Sequence, residues 1–171
     1  PSSRPGPENT GDKRARCPPG AGRSGWPESP ASPSPSNPGL KATWHEFKGN
    51  KCSEIEKAPV NGTYPVEDVM IPKKVKGNIG LIIKGYFNAP QDDIYTFALL
   101  SDDGSTLTID SEQIVDNDGP HGPKEIVGQK ALAKGYHPME LRYFDQNGGQ
   151  LKLKVTGSDG KEIPFTHLYA H

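Results

Sequence analysis

The sequence predicts an all-β domain, an antiparallel β-barrel or sandwich, behind a disordered N-terminal segment rich in proline, serine and glycine. Three observations predict it. From residue 79 onward, short apolar runs at strand spacing are broken by clusters of Gly, Asp, Asn and Ser, the punctuation of short strands joined by turns. Helical periodicity is almost absent. Residues 1–39 hold 10 of the 18 prolines, 7 serines and 6 glycines, with Trp26 as their only aromatic residue, so they cannot bury enough apolar surface to offset the entropy of ordering.

Residues 1–39 are therefore read as a disordered linker or tail, and residues 40–171 as one compact domain of ordinary size. A first strand starts near Trp44. Residues 48–78 contain Pro59, Pro65 and Pro72 and are expected to wrap as long loops with one or two edge strands, because proline cannot donate to a central ladder. Strands are then predicted at 79–87, 93–100, 105–110, 113–116, 136–144 and 150–156. In 93–100, apolar residues fall on both alternating sets, which predicts a strand buried on both faces. In 151–155, Leu151, Leu153 and Val155 alternate with Lys152 and Lys154, giving one core face and one solvated face. Gln91-Asp92-Asp93, Lys134-Gly135, Asn147-Gly148-Gly149 and Ser158-Asp159-Gly160 supply the turn residues between them.

Composition excludes several functions. The formal net charge is −1, and with 15 basic and 18 acidic residues after position 39 there is no basic stripe for nucleic acid. No apolar run is long enough to insert in a membrane. Cys17 and Cys52 offer neither a disulfide framework nor zinc spacing. The front carries Arg4, Arg14, Arg16 and Arg23 against Lys13, whereas Arg142 stands alone among fourteen later lysines. A fusion segment or a linker of foreign composition would both explain that split.

The chemistry concentrates in residues 101–122, SDDGSTLTIDSEQIVDNDGPHG. Two acidic turn clusters, Asp102-Asp103 and Asp116-Asn117-Asp118, bracket the strand around Leu107 and Ile109. Carboxylates and side-chain carbonyls on neighbouring loop tips are hard oxygen ligands, so a calcium or sugar-hydroxyl site is one reading. The other is that these residues cap their own turns through side-chain hydrogen bonds, and for Asp116 to Gly119 that reading is preferred. An EF-hand is excluded, since aligning Gly119 with the loop glycine puts Ile114 where the first oxygen ligand belongs. His121 could touch a ligand but is read first as structural, His137 before Pro138 stays open between the two roles, and zinc is not expected because no three or four ligands share a spacing. Trp44, Tyr86, Tyr95, Tyr136 and Tyr143 could stack on a sugar ring, but most are assigned to the core. Catalysis by this chain is not expected. A glycosidase needs two carboxyl groups facing each other across roughly 5–9.5 Å, which adjacent aspartates on one turn cannot do, and no nucleophile elbow or phosphate loop is present.

The ordered motifs also carry a family signal. Gly85-Tyr86-Phe87, Tyr95-Thr96-Phe97, Ser101-Asp102-Asp103-Gly104-Ser105, Leu107-Thr108-Ile109-Asp110, Val115 to Gly122, Gly135-Tyr136-His137-Pro138 and Tyr143-Phe144 before Gly148-Gly149 together resemble the PA14 domain family, the β-barrel module related to anthrax protective antigen. The similarity runs from about Leu40 to Val155. It implies an antiparallel β-barrel that is usually non-catalytic and occurs in secreted glycoside hydrolases, fungal adhesins and bacterial toxins. The two acidic motifs look most like the branch attached to bacterial glycoside hydrolases such as β-hexosaminidases and β-glucosidases. In the adhesin branch a consecutive aspartate pair holds calcium, which in turn takes sugar hydroxyls. Carried over by motif, that pair is Asp102 and Asp103, and the later loop is Asp145-Gln146-Asn147, with Asn147 the best single candidate for a further ligand. Adjacent side chains on an extended strand point to opposite faces, so both aspartates reach one ion only through a sharply bent or cis peptide. Ser111 stands where many members carry glycine, which counts against a positive-φ turn there but not against the barrel. The adhesin disulfides are missing.

The expectation is thus a non-catalytic, calcium-assisted carbohydrate-binding module, secreted, periplasmic or at the cell surface, accessory to a glycoside hydrolase and binding a glycan or polysaccharide. The rival expectation is a module that packs against an adjacent catalytic or toxin domain and binds no sugar itself.

Overall fold

Strand alternation dictates two layers, and a computed structural model of the chain shows them; it describes residues 37–75, 77–146, 149–164 and 168–170. Most of the N-terminal segment and Asn147 therefore lie outside the described residues. The elements in order are β1 (Asn37–Pro38), β2 (Leu40–Glu46), a short 3-10 helix (Cys52–Lys57), β3 (Val60–Val66), β4 (Ile79–Ala89), β5 (Asp93–Asp102), β6 (Ser105–Ile109), β7 (Glu112–Asn117), β8 (Lys124–Leu132), β9 (Gly135–Asp145), β10 (Gln150–Thr156) and β11 (Leu168–Ala170). The larger sheet runs β3-β2-β4-β9-β6-β7, with β11 and then β1 continuing from the far half of β4, and the smaller sheet is β10-β5-β8. All pairings are antiparallel.

The core fills the space between the sheets. Leu81 and Ile83 on β4, Leu107 and Ile109 on β6, and Met139, Leu141 and Tyr143 on β9 face Tyr95, Phe97 and Leu99 on β5 and Leu153 and Val155 on β10, all buried. Phe87 reaches across the layers, its ring edge-on to Tyr95 at 5.3 Å and Phe97 at 5.7 Å, contacts worth about 0.5–1.5 kcal/mol each beyond area burial. The outer face of the larger sheet is covered in part by the 3-10 helix. Ile55, Phe47, Ile82 and Phe144 form a second small core there, and Gly80 admits it, since a Cβ at that position would lie 2.8 Å from Ile55.

Three expectations need correction. The strand 93–100 is buried on one face only: Ile94 is 46 % exposed, because nothing among the described residues covers the outer side of the smaller sheet. β8 is absent from the predicted strands, since KEIVGQKAL has no clean alternation and most of its side chains reach solvent at a sheet edge. The 3-10 helix is too short for a helical period to register. The edge-strand reading of residues 48–78 holds, with β3 outermost and Pro65 within it. No helix among the described residues is long and apolar enough to cross a membrane.

Candidate functional site

Three connections cross from one sheet to the other at the same end of the sandwich. They are the β5–β6 corner at Asp102 to Gly104, the β7–β8 loop at Asp118 to Pro123 and the β9–β10 loop that leaves Asp145. Their convergence builds the site. The Asp102–Asp103 peptide bond is cis. Asp103 ties the other two loops to this corner: its Oδ1 accepts the main-chain N–H of His121 at 3.2 Å and its Oδ2 accepts that of Gln146 at 3.0 Å. The Asp103 N–H in turn donates to the Phe144 carbonyl, and the Phe144 N–H to that of Gly104.

Glycines make this approach possible. A Cβ on Gly149 would lie 1.9 Å from the Asp102 carbonyl oxygen, and one on Gly104 would lie 2.7 Å from Gly119 N. The Tyr143 hydroxyl donates to the Asp102 carbonyl at 2.7 Å. Burial, followed by the negative charges of Asp145, Asp102 and Asp103, pushes that phenol far above the usual tyrosine range, so it remains a donor. Beneath the corner, the Ser101 and Ser105 hydroxyls meet at 2.6 Å, and the Asn117 amide nitrogen donates to the carbonyls of Lys124 and Leu99.

Asp102 and Asp103 are half-buried, and among the described residues no lysine or arginine forms an ion pair with either. Two carboxylates adjacent in sequence thus stand at this corner with no basic partner among the described residues, and only part of their lone-pair capacity is used. No group of three or more His, Cys, Asp or Glu side chains fit to hold a metal occurs among the described residues. A cation at this corner would therefore take two carboxylates and complete its shell with carbonyl, amide or hydroxyl oxygens, a donor set that suits calcium and not zinc. Asp145 is buried at the end of β9. Gln146 serves the corner through its backbone, while its side chain donates to the Gly49 carbonyl at 3.4 Å.

Other sequence candidates fall elsewhere. Asp116 and Asp118 cap their own turn, accepting the N–H groups of Asp118 at 3.2 Å and Gly119 at 2.8 Å, and Asp118 also caps the 3-10 helix by accepting the Cys52 N–H at 2.9 Å. The His121 ring spans the Asn117 and Gly122 carbonyls. His137 lies at the opposite end of the sandwich, between the Asp110 carboxylate at 2.8 Å and the Ala133 carbonyl at 2.7 Å. Tyr86, Tyr95 and Tyr143 are core residues, and Trp44 packs on the core from β2. Ser111 adopts φ 67° and Asp110 φ 51°, so the positive-φ turn that a serine seemed to forbid is present.

Residues 36–165 match the family model of the PA14 domain. The chain belongs to the PA14 domain family. No curated protein matches the chain. Among solved structures, this PA14 domain is similar to a PA14 sugar-binding domain from an RTX adhesin, with a TM-score of 0.67 and 17 % identity over 80 % of this chain and 100 % of that one. It is also similar to the A domain of epithelial adhesin 6 from Candida glabrata, solved in complex with Galβ1-3GlcNAc, with a TM-score of 0.60 and 14 % identity over 82 % of this chain and 89 % of that one. A β-glucosidase from Kluyveromyces marxianus, solved in complex with glucose, matches with a TM-score of 0.55 and 17 % identity over 70 % of this chain but only 16 % of the enzyme. At these identities the likeness concerns the fold.

Sequence reasoning missed Tyr143 and Gly149 as parts of the corner. The tyrosine reads as a core residue by alternation, which it is, and only its hydroxyl belongs to the site. Gly149 reads as an ordinary turn glycine, because the strand it lies against is 47 residues away in sequence.

Proposed function

We propose that this PA14 domain is a non-catalytic carbohydrate-binding module that uses calcium held by Asp102 and Asp103, and that it works outside the cytoplasm beside a glycoside hydrolase. The observation that carries the reading is the pair of half-buried carboxylates at a corner where three loops meet, with no basic partner among the described residues. Calcium, when bound, would supply open coordination positions to a vicinal diol of a terminal sugar. Asp103 fixes the β7–β8 and β9–β10 loops against the corner, Tyr143 fixes the Asp102 carbonyl, and Asn147 is proposed as a further ligand from the β9–β10 loop. The named ligands of the adhesin structures support a glycan as partner, and the β-glucosidase supports the accessory role. A shallow site gives weak affinity, which a tethered enzyme would offset through local concentration.

The test is a glycan array probed with the full chain in calcium and again after chelation. Binding that chelation removes supports the reading; binding that persists moves the site off the aspartate corner. A second reading, packing against an adjacent catalytic domain, is favoured by one observation: Ile94 and Val127, 46 % and 54 % exposed, lie on the uncovered face of the smaller sheet. Loss of association with such a domain in Ile94→Lys with Val127→Lys, with glycan binding absent throughout, would establish that reading instead.

A further inference from the structure

The outer face of the larger sheet carries a second, polar hollow away from the aspartate pair. Antiparallel register aligns Lys84, Glu140, Thr108 and Gln113 in one row across β4, β9, β6 and β7, and Ile82, Arg142, Thr106 and Asp116 in the next. The 3-10 helix covers Ile82 and starts beside Arg142, so the second row is roofed at one side and open at the other. The resulting cavity of about 270 Å³ is lined by Thr106, Thr108, Gln113, Glu140, Arg142 and Asp118, together with Cys52 and Ser53 at the start of the helix.

Its walls are fixed. Arg142 donates from Nε to Glu140 at 2.7 Å and from Nη1 to the Cys52 carbonyl and Glu56, and Asp118 is held by the Cys52 N–H. Thr106, 8 % exposed, forms part of the floor. Burial pushes the Cys52 thiol far above its usual range, so the sulfur is an inert wall. Arg142 Nη2 and the exposed Gln113 amide have no protein partner among the described residues. The fixed charges around it are net negative: Arg142 and Lys84 stand against Glu140, Asp118, Glu56 and Asp116, with Glu140 paired to both cations and Glu56 to Arg142. An anion would be repelled there, whereas guanidinium, carboxylate, amide and hydroxyl groups in one small array offer the mixed donors and acceptors that hydroxyls need. The volume lies just below the roughly 300–1,000 Å³ usual for ligand pockets, as suits a single small ring.

We infer that this hollow is a second, calcium-independent subsite for one uncharged sugar ring. The inference rests on the carbohydrate-binding reading but not on its metal. The test is an NMR titration of the 15N-labelled full chain with D-galactose, D-glucose and N-acetyl-D-glucosamine, in calcium and in excess chelator. At least one sugar is expected to shift the Thr108, Gln113 and Arg142 amides in both buffers, and Gln113→Ala, an exposed edge substitution, is expected to weaken that response about tenfold without changing thermal unfolding. Shifts confined to the Asp102, His121 and Gln146 amides would overturn the second subsite and leave the aspartate site standing. No shift with any of the three sugars would overturn this inference too, and the glycan array would then decide the fate of the aspartate site. An unaltered response in Gln113→Ala would also refute the assignment.

Discussion

The two ends of β6 use aspartate in opposite ways. At its start, Asp103 accepts two main-chain N–H groups from other loops, and the described structure brings neither it nor Asp102 a cationic partner. At its end, Asp110 meets a fully buried imidazole whose other nitrogen faces the Ala133 carbonyl. Both ring nitrogens of His137 thus face acceptors, which only the protonated ring can satisfy completely. Burial works against that charge, but the Asp110 and Ala133 hydrogen bonds outweigh it and raise the His137 pKa above its ordinary value. One end is closed electrostatically and the other is left open. A carboxylate given its counter-charge by the fold serves stability; a pair left without one is available to something from outside.

This contrast can be broken from either end. The largest effect is expected from Asp102→Asn with Asp103→Asn, which should lower chelator-sensitive glycan binding at least ~100-fold, or about 2.8 kcal/mol. Because asparagine keeps one acceptor oxygen, unfolding stability in urea should fall by only about 0.5–1.5 kcal/mol. At the other end the pattern should invert: His137→Leu strands Asp110 and the Ala133 carbonyl and should cost about 3 kcal/mol, with glycan binding unchanged at temperatures where the variant is folded. The same pair sets a pH dependence. A histidine whose folded pKa is raised contributes stability that is fully present below its unfolded value near 6.5 and is lost as pH rises through the folded value. Urea midpoints should therefore decline over that upward window in the natural chain, and the decline should flatten in His137→Leu. Glu112 and Lys130, which pair nearby, are the other charges to hold constant in reading that curve, the lysine opposing His137 protonation.

Smaller changes sharpen the contrast. Gly149→Ala should cost about 1–3 kcal/mol, because its methyl would meet the Asp102 carbonyl at 1.9 Å, and it should weaken glycan binding by moving the corner. Ser111→Gly should gain about 1 kcal/mol by relieving the left-handed conformation, measurable as a raised thermal midpoint with binding untouched.

Much of this was legible in residue order. Alternation located β4, β5, β6, β7, β9 and β10, and the Asp102-Asp103-Gly104 run marked the corner where the chain changes sheets. What stayed hidden depends on tertiary neighbours. β8 escaped because an edge strand with solvent on most of its side chains need not alternate, and Gly128 within it is demanded by the Ile114 carbonyl, 2.0 Å from where its Cβ would be. β5 looked buried on both faces because Ile94, Ala98 and Leu100 are apolar, and sequence cannot say whether a second layer covers them. The Asp110–His137 pair joins residues 27 apart that share no motif, so its closure is visible only in space.

The most direct test of the open corner is a calcium titration of the 15N-labelled chain, followed at the amides of Asp103, His121 and Gln146 and, as an internal control, at Asp110 and His137. Saturable shifts at the first three, with the last two unmoved, are the predicted result. No response, or a response centred on Asp110 and His137, would contradict the assignment of calcium to the Asp102–Asp103 corner.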